Sequence, residues 1–84
     1  MKKILIYSSL ICPYCISAKR LLENEKLEYS EIVVDNNNEE RQKMIELSNG
    51  STSVPQIFFD NFHVGGFDDL KKIYDMGNLT EMLK

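Results

Sequence analysis

Residues 10–22, LICPYCISAKRLL, place a pair of cysteines between an apolar run and an amphipathic stretch. Pro13 suits the first position of a helix, where no backbone donor is missed, and apolar residues then recur at helical spacing. The segment therefore predicts a helix over residues 13–24, with Cys12 at its N-terminus and Cys15 on its apolar side. Any fold of this chain must therefore place Cys12 between a strand and the start of that helix.

The remaining apolar segments predict an α/β fold. KILIY, residues 3–7, is almost continuously apolar, as is typical of a strand covered on both faces. Asp60 and Asn61 separate two short apolar runs, which indicates a two-residue hairpin. The predicted strands are 3–7, 28–34, 53–59 and 62–66. The first predicted helix is 13–24, and the second runs from the DNNNEE segment to about Leu47. A last helix begins near Asp68 and is interrupted by Gly77. This order, βαβ with a second helix and then ββα, predicts a four-stranded mixed sheet with helices on both faces.

Length and composition limit the partners. The 84 residues are enough for one domain, spanning 1–84. Hydrophobic residues make up 43% and charged residues 27%, the balance of an ordinary globular protein. The net charge of −3 offers no basic surface for nucleic acid, and the apolar runs are too short to span a bilayer. We therefore expect neither nucleic acid nor a membrane as a partner.

The N-terminal sequence, MKKILIYSSLICPYC, has a superficial likeness to a signal peptide. Its apolar stretch is short and is broken by Tyr7, Ser8 and Ser9, and no small-residue cleavage site follows. A buried first strand is therefore the preferred interpretation. A small secreted domain held by disulfides would usually carry more than two cysteines, spaced further apart. We expect a reducing compartment and hence a cytoplasmic protein.

Metal binding, a structural disulfide and redox chemistry are the three roles open to the cysteine pair. A structural zinc site needs four ligands, and the chain supplies one cysteine pair and His63, so two chains would be needed to complete it. A disulfide between such close positions removes little entropy from the unfolded chain. Redox chemistry fits the position best, and we expect no metal in a single chain.

The two cysteines are predicted to have different roles in that chemistry. Cys12 lies at a helix N-terminus, where free amide donors and the positive end of the helix dipole favour its thiolate. Cys15 lies one turn further along on the apolar side, where a thiol stays protonated. Cys12 is therefore the predicted nucleophile, and Cys15 the residue that resolves the resulting mixed disulfide.

Three motifs, in order along the chain, resemble those of glutaredoxins of the short bacterial dithiol type. CPYC at 12–15 matches the active site of that family, TSVPQIF at 52–58 resembles its TVP segment, and GGFDDL at 65–70 resembles its GG-x-x-D signature. The resemblance covers essentially the whole chain. It implies a thioredoxin-like fold and a monomer that reduces disulfide-containing or glutathionylated proteins, with glutathione as the reducing co-substrate.

The resemblance also implies a glutathione site. In the family the bond before the proline that matches Pro55 is cis, which leaves the main-chain groups of Val54 free to pair with an extended peptide. The helix after Gly66 offers free N–H groups to a carboxylate, and Asp68 accepts from an ammonium. From the residues alone, Asp68 also suits a helix cap, and Gln42 an exposed helix position. The contacts implied by the resemblance are Tyr14, Gln42, Ser53, Val54, Pro55, Gly66, Phe67 and Asp68, with Gln42 at the glycyl carboxylate.

Position 9 departs from the family pattern. The family usually has a lysine three residues before the first cysteine, where it favours the thiolate and attracts the glycyl carboxylate, and this chain has Ser9. Candidates for replacing that charge are Lys19, Arg20 and Arg41. Two alternative functions stay open: an electron donor reduced by thioredoxin reductase, and a dimer that holds an iron–sulfur cluster between two Cys12 thiolates and glutathione.

Overall fold

A computed structural model describes all residues, 1–84, and contains four strands and four helices. The strands are β1 (Ile4–Ser8), β2 (Ser30–Val33), β3 (Gln56–Phe59) and β4 (Phe62–Gly65). The helices are α1 (Pro13–Asn24), α2 (Asn38–Leu47), α3 (Phe67–Asp75) and α4 (Leu79–Leu83). None of these helices has the length and apolar character needed to cross a membrane.

The four strands form one mixed sheet in the order β2-β1-β3-β4. β1 pairs in parallel with β2 and antiparallel with β3, and β3 pairs antiparallel with β4. Phe59 pairs directly with Phe62, so Asp60 and Asn61 form the predicted two-residue turn. Asp60 adopts a φ of 51°, and its carboxylate accepts a hydrogen bond from the Lys3 N–H at 2.8 Å. The mixed sheet and the hairpin predicted from the sequence are confirmed.

Two apolar cores cover the two faces of the sheet. Ile4 and Ile6 of β1 belong to the larger core, which also contains buried residues of α1, α3 and α4. Tyr7 of β1 belongs to the smaller core, where Met44 of α2 packs. Successive side chains of a strand point to opposite faces, so a continuously apolar β1 serves both cores. Helices therefore lie on both sides of the sheet, as predicted.

Three strands are shorter than their apolar runs predicted, although β4 lacks only the last predicted residue. β2 pairs with β1 only over residues 30–33, instead of the predicted 28–34. β3 begins at Gln56, although the run begins at residue 53. Pro55 has no N–H to donate to a ladder, and the Ser53 carbonyl accepts a hydrogen bond from the Gln56 side chain at 3.0 Å. The segment before Pro55 therefore leaves the sheet and becomes a loop.

The turn between β4 and α3 depends on a glycine and an aspartate. Gly65 has a φ of +118°, a conformation that side chains rarely allow. A Cβ at this position would lie 2.2 Å from Asp69 Oδ2. That carboxylate accepts a hydrogen bond from the Gly66 N–H at 3.0 Å and so holds the start of α3. Gly65 thus gives the Asp69 carboxylate the space it needs.

Gly65→Ala is expected to lower stability more than Gly50→Ala, its matched control. Gly50 also has a positive φ, +96°, but nothing lies within 4 Å of its missing Cβ. Gly50→Ala should therefore cost only backbone strain, about 1 kcal/mol. Gly65→Ala should cost at least about 1 kcal/mol more, because the methyl group also displaces the Asp69 carboxylate. Urea unfolding of the two variants measures the difference, and equal losses would contradict this account of the turn.

Candidate active site

The Cys12 sulfur lies at the N-terminus of α1. Cys12 is the N-cap residue, with extended backbone, and its carbonyl accepts the Ile16 N–H at 3.2 Å. Its Sγ accepts a hydrogen bond from the Cys15 N–H at 3.3 Å. Helix N-termini have unpaired N–H groups and a partial positive charge, both of which favour an anion. Cys12, which is partly exposed, therefore has the surroundings of a nucleophilic thiolate.

Cys15 has the opposite surroundings. Its side chain is fully buried on the apolar side of α1. Burial, with the hydrogen bond to the Cys12 side chain as a smaller cause, raises the pKa of the Cys15 thiol to about 12. Cys15 is therefore a protonated thiol at neutral pH. The two sulfurs differ in exposure, since Cys12 is partly exposed at the helix start and Cys15 is fully buried.

The loop before β3 lies against the Cys12 sulfur. The peptide bond between Val54 and Pro55 is cis, as the family resemblance implied. The Val54 carbonyl lies 3.6 Å from Cys12 Sγ and accepts from the thiol. No protein group accepts the Val54 N–H. A main-chain donor therefore stands free beside the Cys12 sulfur and is available to an extended ligand.

A chain of polar side chains behind this loop was not recognised in the sequence. The buried Gln56 amide donates to the Ser53 carbonyl at 3.0 Å and to its hydroxyl at 3.3 Å. Gln56 Oε1 lies 2.7 Å from His63 Nε2, and the His63 ring stacks on Phe58 with centroids 5.0 Å apart. These contacts fix the backbone at Ser53. This role of Gln56 could not be predicted from the residues around it, because its partner His63 lies on another strand.

A groove of about 430 Å³ extends from this loop to the start of α3. The Tyr14 and Phe67 rings lie on it, with centroids 6.4 Å apart. Asp68 is exposed and has no hydrogen-bond partner in the protein, whereas Asp69 caps α3. The groove is lined by the sequence-predicted residues Tyr14, Ser53, Val54, Pro55, Gly66, Phe67 and Asp68.

Gln42 is the predicted residue that the structure does not bring to the groove. It is exposed on α2, and its side chain makes no hydrogen bond and does not line the groove. Arg41 precedes it and turns towards the loop, since its Nη1 donates to the Thr52 carbonyl at 3.5 Å. Lys19 is paired with Glu31 at 2.8 Å. Arg41 is therefore the cation that contacts the segment leading to Val54.

Ser9 is buried and its hydroxyl is engaged. It donates to Asp35 Oδ1 at 2.8 Å, and Asp35 Oδ2 accepts the Leu10 N–H at 2.9 Å. The Leu10 N–H and then the Ser9 hydroxyl hold the pKa of the Asp35 carboxyl below its usual range. Where the family usually has a lysine, this chain thus has a hydrogen-bonded anchor for the loop that leads to Cys12.

Fold and site together define a class of protein. A mixed sheet whose first strand leads to a cysteine pair at a helix N-terminus, facing a cis-proline loop, is the arrangement of a thioredoxin-like thiol–disulfide oxidoreductase.

Comparisons with known proteins give the family. A family model described as Glutaredoxin matches residues 4–64. Glutaredoxin 1 of Rickettsia prowazekii (strain Madrid E) is 49% identical over 82 residues, which cover 96% of this chain and 86% of that protein. Glutaredoxin 3 of Escherichia coli (strain K12) is 43% identical over 84 residues, which cover 100% of both. The chain belongs to the glutaredoxin family and is a glutathione-dependent thiol–disulfide oxidoreductase.

Solved structures show the same fold. The solution structure of a glutaredoxin from Brucella melitensis has a TM-score of 0.87 at 42% identity, covering 100% of this chain and 90% of that one. The crystal structure of a buckwheat glutaredoxin–glutathione complex also has a TM-score of 0.87, at 25% identity, covering 98% of this chain and 76% of that one. The thioredoxin-like fold implied by the sequence is confirmed.

Iodoacetamide is expected to alkylate Cys12 alone in the folded, reduced protein at pH 8. Cys15 is fully buried, and its pKa of about 12 keeps it protonated at that pH, while alkylation requires an accessible thiolate. Mass spectrometry of the intact chain should show one added group, mapping to Cys12, and a second only after unfolding in urea. Equal rates at both cysteines in the folded protein would show that the burial of Cys15 is wrong.

Proposed function

We propose that Cys12 is the nucleophile and Cys15 the resolving thiol in the reduction of protein disulfides and glutathione mixed disulfides. The observation that carries this proposal is the position of Cys12 Sγ. It accepts a helix N–H at 3.3 Å and lies 3.6 Å from the Val54 carbonyl, while Cys15 is buried directly behind it. Only one of the two sulfurs is therefore open to attack a substrate.

Two routes follow from this arrangement. With a protein disulfide, the Cys12 thiolate attacks one sulfur, and the other leaves as a thiolate that takes up a proton. Cys15 loses its proton and attacks the Cys12 sulfur, which releases the second substrate thiol and leaves a Cys12–Cys15 disulfide. Two glutathione molecules then reduce this disulfide and become oxidised glutathione. With a glutathione mixed disulfide, Cys12 bonds to the glutathionyl sulfur, and the substrate sulfur leaves as a thiolate that takes up a proton. A second glutathione then attacks the glutathionyl sulfur, which frees Cys12 and forms oxidised glutathione.

The groove gives glutathione an orientation. An extended peptide beside Val54 pairs with its free N–H and carbonyl, which places the cysteinyl sulfur near Cys12. The first turn of α3, at Phe67 and Asp68, offers unpaired N–H groups to the γ-glutamyl carboxylate. The Asp68 carboxylate, free of protein partners, accepts from the γ-glutamyl ammonium. The buckwheat complex, which contains glutathione in the same fold, supports this site.

The glycyl end of glutathione then lies towards α2. We retain Gln42 as a predicted contact and add Arg41, because its guanidinium contacts Thr52, two residues before Val54. A guanidinium binds a carboxylate through two parallel hydrogen bonds. Arg41 thus supplies the positive charge that a lysine at position 9 gives to other members of the family.

The wider setting belongs to the same proposal. Residues 1–84 act as one glutaredoxin-like domain, monomeric and cytoplasmic, without a metal, a membrane or nucleic acid as a partner. The intact groove favours glutathione over thioredoxin reductase as the source of electrons, since an electron donor reduced by an enzyme has no use for a tripeptide site. A brown protein after anaerobic purification would support the iron–sulfur alternative instead.

Cys12→Ser should abolish activity towards all disulfides, because the only other thiol, that of Cys15, is buried. Cys15→Ser should still remove glutathione from a small mixed disulfide, since a second glutathione resolves that intermediate, but it should lose most of its activity with protein disulfides. A coupled assay with glutathione and glutathione reductase measures both. Loss of both activities in Cys15→Ser would contradict the proposed division of roles.

Asp68→Ala should raise the KM for glutathione by about tenfold, because it removes a charge-assisted hydrogen bond to the ammonium. Its melting temperature should stay unchanged, since the carboxylate has no partner in the protein. Asp69→Ala is the matched control, because it removes the neighbouring carboxylate that caps α3 at 3.0 Å. It should lower the melting temperature and raise the KM less than Asp68→Ala does. A larger rise in KM for Asp69→Ala, with a lower melting temperature for Asp68→Ala, would mean that the two aspartates have the opposite roles.

A further inference from the structure

Three large apolar side chains next to Cys12 are exposed. Leu10 is 70% exposed, Ile11 88% and Ile16 44%. Neither core of the protein includes them, and none packs against either core. We call these residues the apolar collar. Single exposed apolar residues are ordinary, but here three lie within seven positions of the chain, on both sides of Cys12.

The backbone of the collar is held in place. The Leu10 N–H donates to Asp35 at 2.9 Å, and the Ile11 N–H donates to the Ser9 hydroxyl at 3.4 Å. Ile16 is anchored within α1. A surface that is already ordered loses less conformational entropy when a partner binds. Ser9, which stands where the family usually has a lysine, thus helps to hold the backbone of the collar in place.

The stretch that carries the collar has no charged side chain. Residues 4–18 contain none, and the next one, Lys19, is paired with Glu31 at 2.8 Å. The neighbouring Asp35 carboxylate already accepts hydrogen bonds from the Ser9 hydroxyl and the Leu10 N–H. Side chains without charge offer little to select a charged partner. What the collar offers is apolar area, which gains free energy when it is removed from water.

The geometry of a mixed disulfide indicates which part of a partner protein lies next to the apolar collar. A disulfide places the partner's cysteine Cα about 4.4–6.8 Å from the Cys12 Cα. An extended chain advances about 3.3–3.6 Å per residue. The residues directly before and after the partner's cysteine therefore lie within about one residue's length of Cys12 and its neighbours. Ile11 directly precedes Cys12, and the Ile16 N–H donates to the Cys12 carbonyl at 3.2 Å, so the collar borders the sulfur to which the partner bonds.

We propose that the apolar collar binds the disulfide-bearing segment of the substrate protein and selects cysteines flanked by large apolar side chains. The inference rests on the proposed function, because it applies to the substrate whose sulfur bonds to Cys12. In that step the Cys12 thiolate forms a bond to the substrate sulfur, the substrate disulfide breaks, and its other sulfur leaves as a thiolate and takes up a proton. The collar takes no part in the chemistry and acts on the binding of the partner.

The test uses two peptides with the same internal disulfide, one with leucine and one with serine beside each cysteine. The variant carries Leu10→Gln and Ile11→Gln, which leave both backbone hydrogen bonds intact. The control is Met76→Gln, a 64% exposed residue at the end of α3 remote from the groove. For wild-type protein and for Met76→Gln, the kcat/KM with the leucine peptide should exceed that with the serine peptide by about fivefold or more. The collar variant should lose that preference.

A third substrate, the mixed disulfide of glutathione and 2-mercaptoethanol, has no flanking residues. The collar variant should reduce it at the wild-type rate, which shows an intact active site. A wild-type protein inactive with this substrate would overturn the proposed function itself. A collar variant that keeps the leucine preference would overturn the docking proposal alone. A wild-type dimer in sedimentation velocity that the collar variant abolishes would also overturn it, since a second copy would then be the occupant.

Discussion

The hydrogen bond from the Cys15 N–H to the Cys12 sulfur, at the N-terminus of α1, is the interaction on which the site depends. This bond ties the sulfur to the start of the helix. The position of α1 on the sheet therefore also sets the position of the Cys12 sulfur. β1 ends at Ser8, and the Ser9–Asp35 hydrogen bond holds the short connection that follows. The packing of α1 on the larger core therefore fixes the sulfur relative to the cis-proline loop.

The two cysteines differ because one helix has two environments. At its start, Cys12 meets unpaired N–H groups and solvent, while one turn further Cys15 is fully buried on the apolar side of the helix. The second half of the fold completes the site around the exposed sulfur. The Val54–Pro55 loop supplies main-chain groups on one side, and the start of α3 supplies N–H groups and a free carboxylate at Asp68 on the other.

Much of this could be predicted from the sequence where the signal is local. The bounds of α1 follow from Pro13 and from helical periodicity, and the hairpin follows from Asp60 and Asn61 between two apolar runs. Two other contacts carried no such signal. The capping role of Asp69 was not separable from that of its neighbour Asp68, and the direction of Arg41 towards Thr52 depends on how α2 lies on the sheet.

The sequence by itself determined the chemistry of the chain: a cysteine at a helix start, a second on the apolar face, and an alternation of strands and helices that allows one mixed sheet. These are properties of neighbours along the chain, which helical and strand periodicity express directly. Only the tertiary structure decided which groups meet Cys12 from elsewhere. The Val54 carbonyl is 42 positions away, and such a contact depends on the packing of the whole sheet, because sheet order and helix placement set distances that no local pattern encodes.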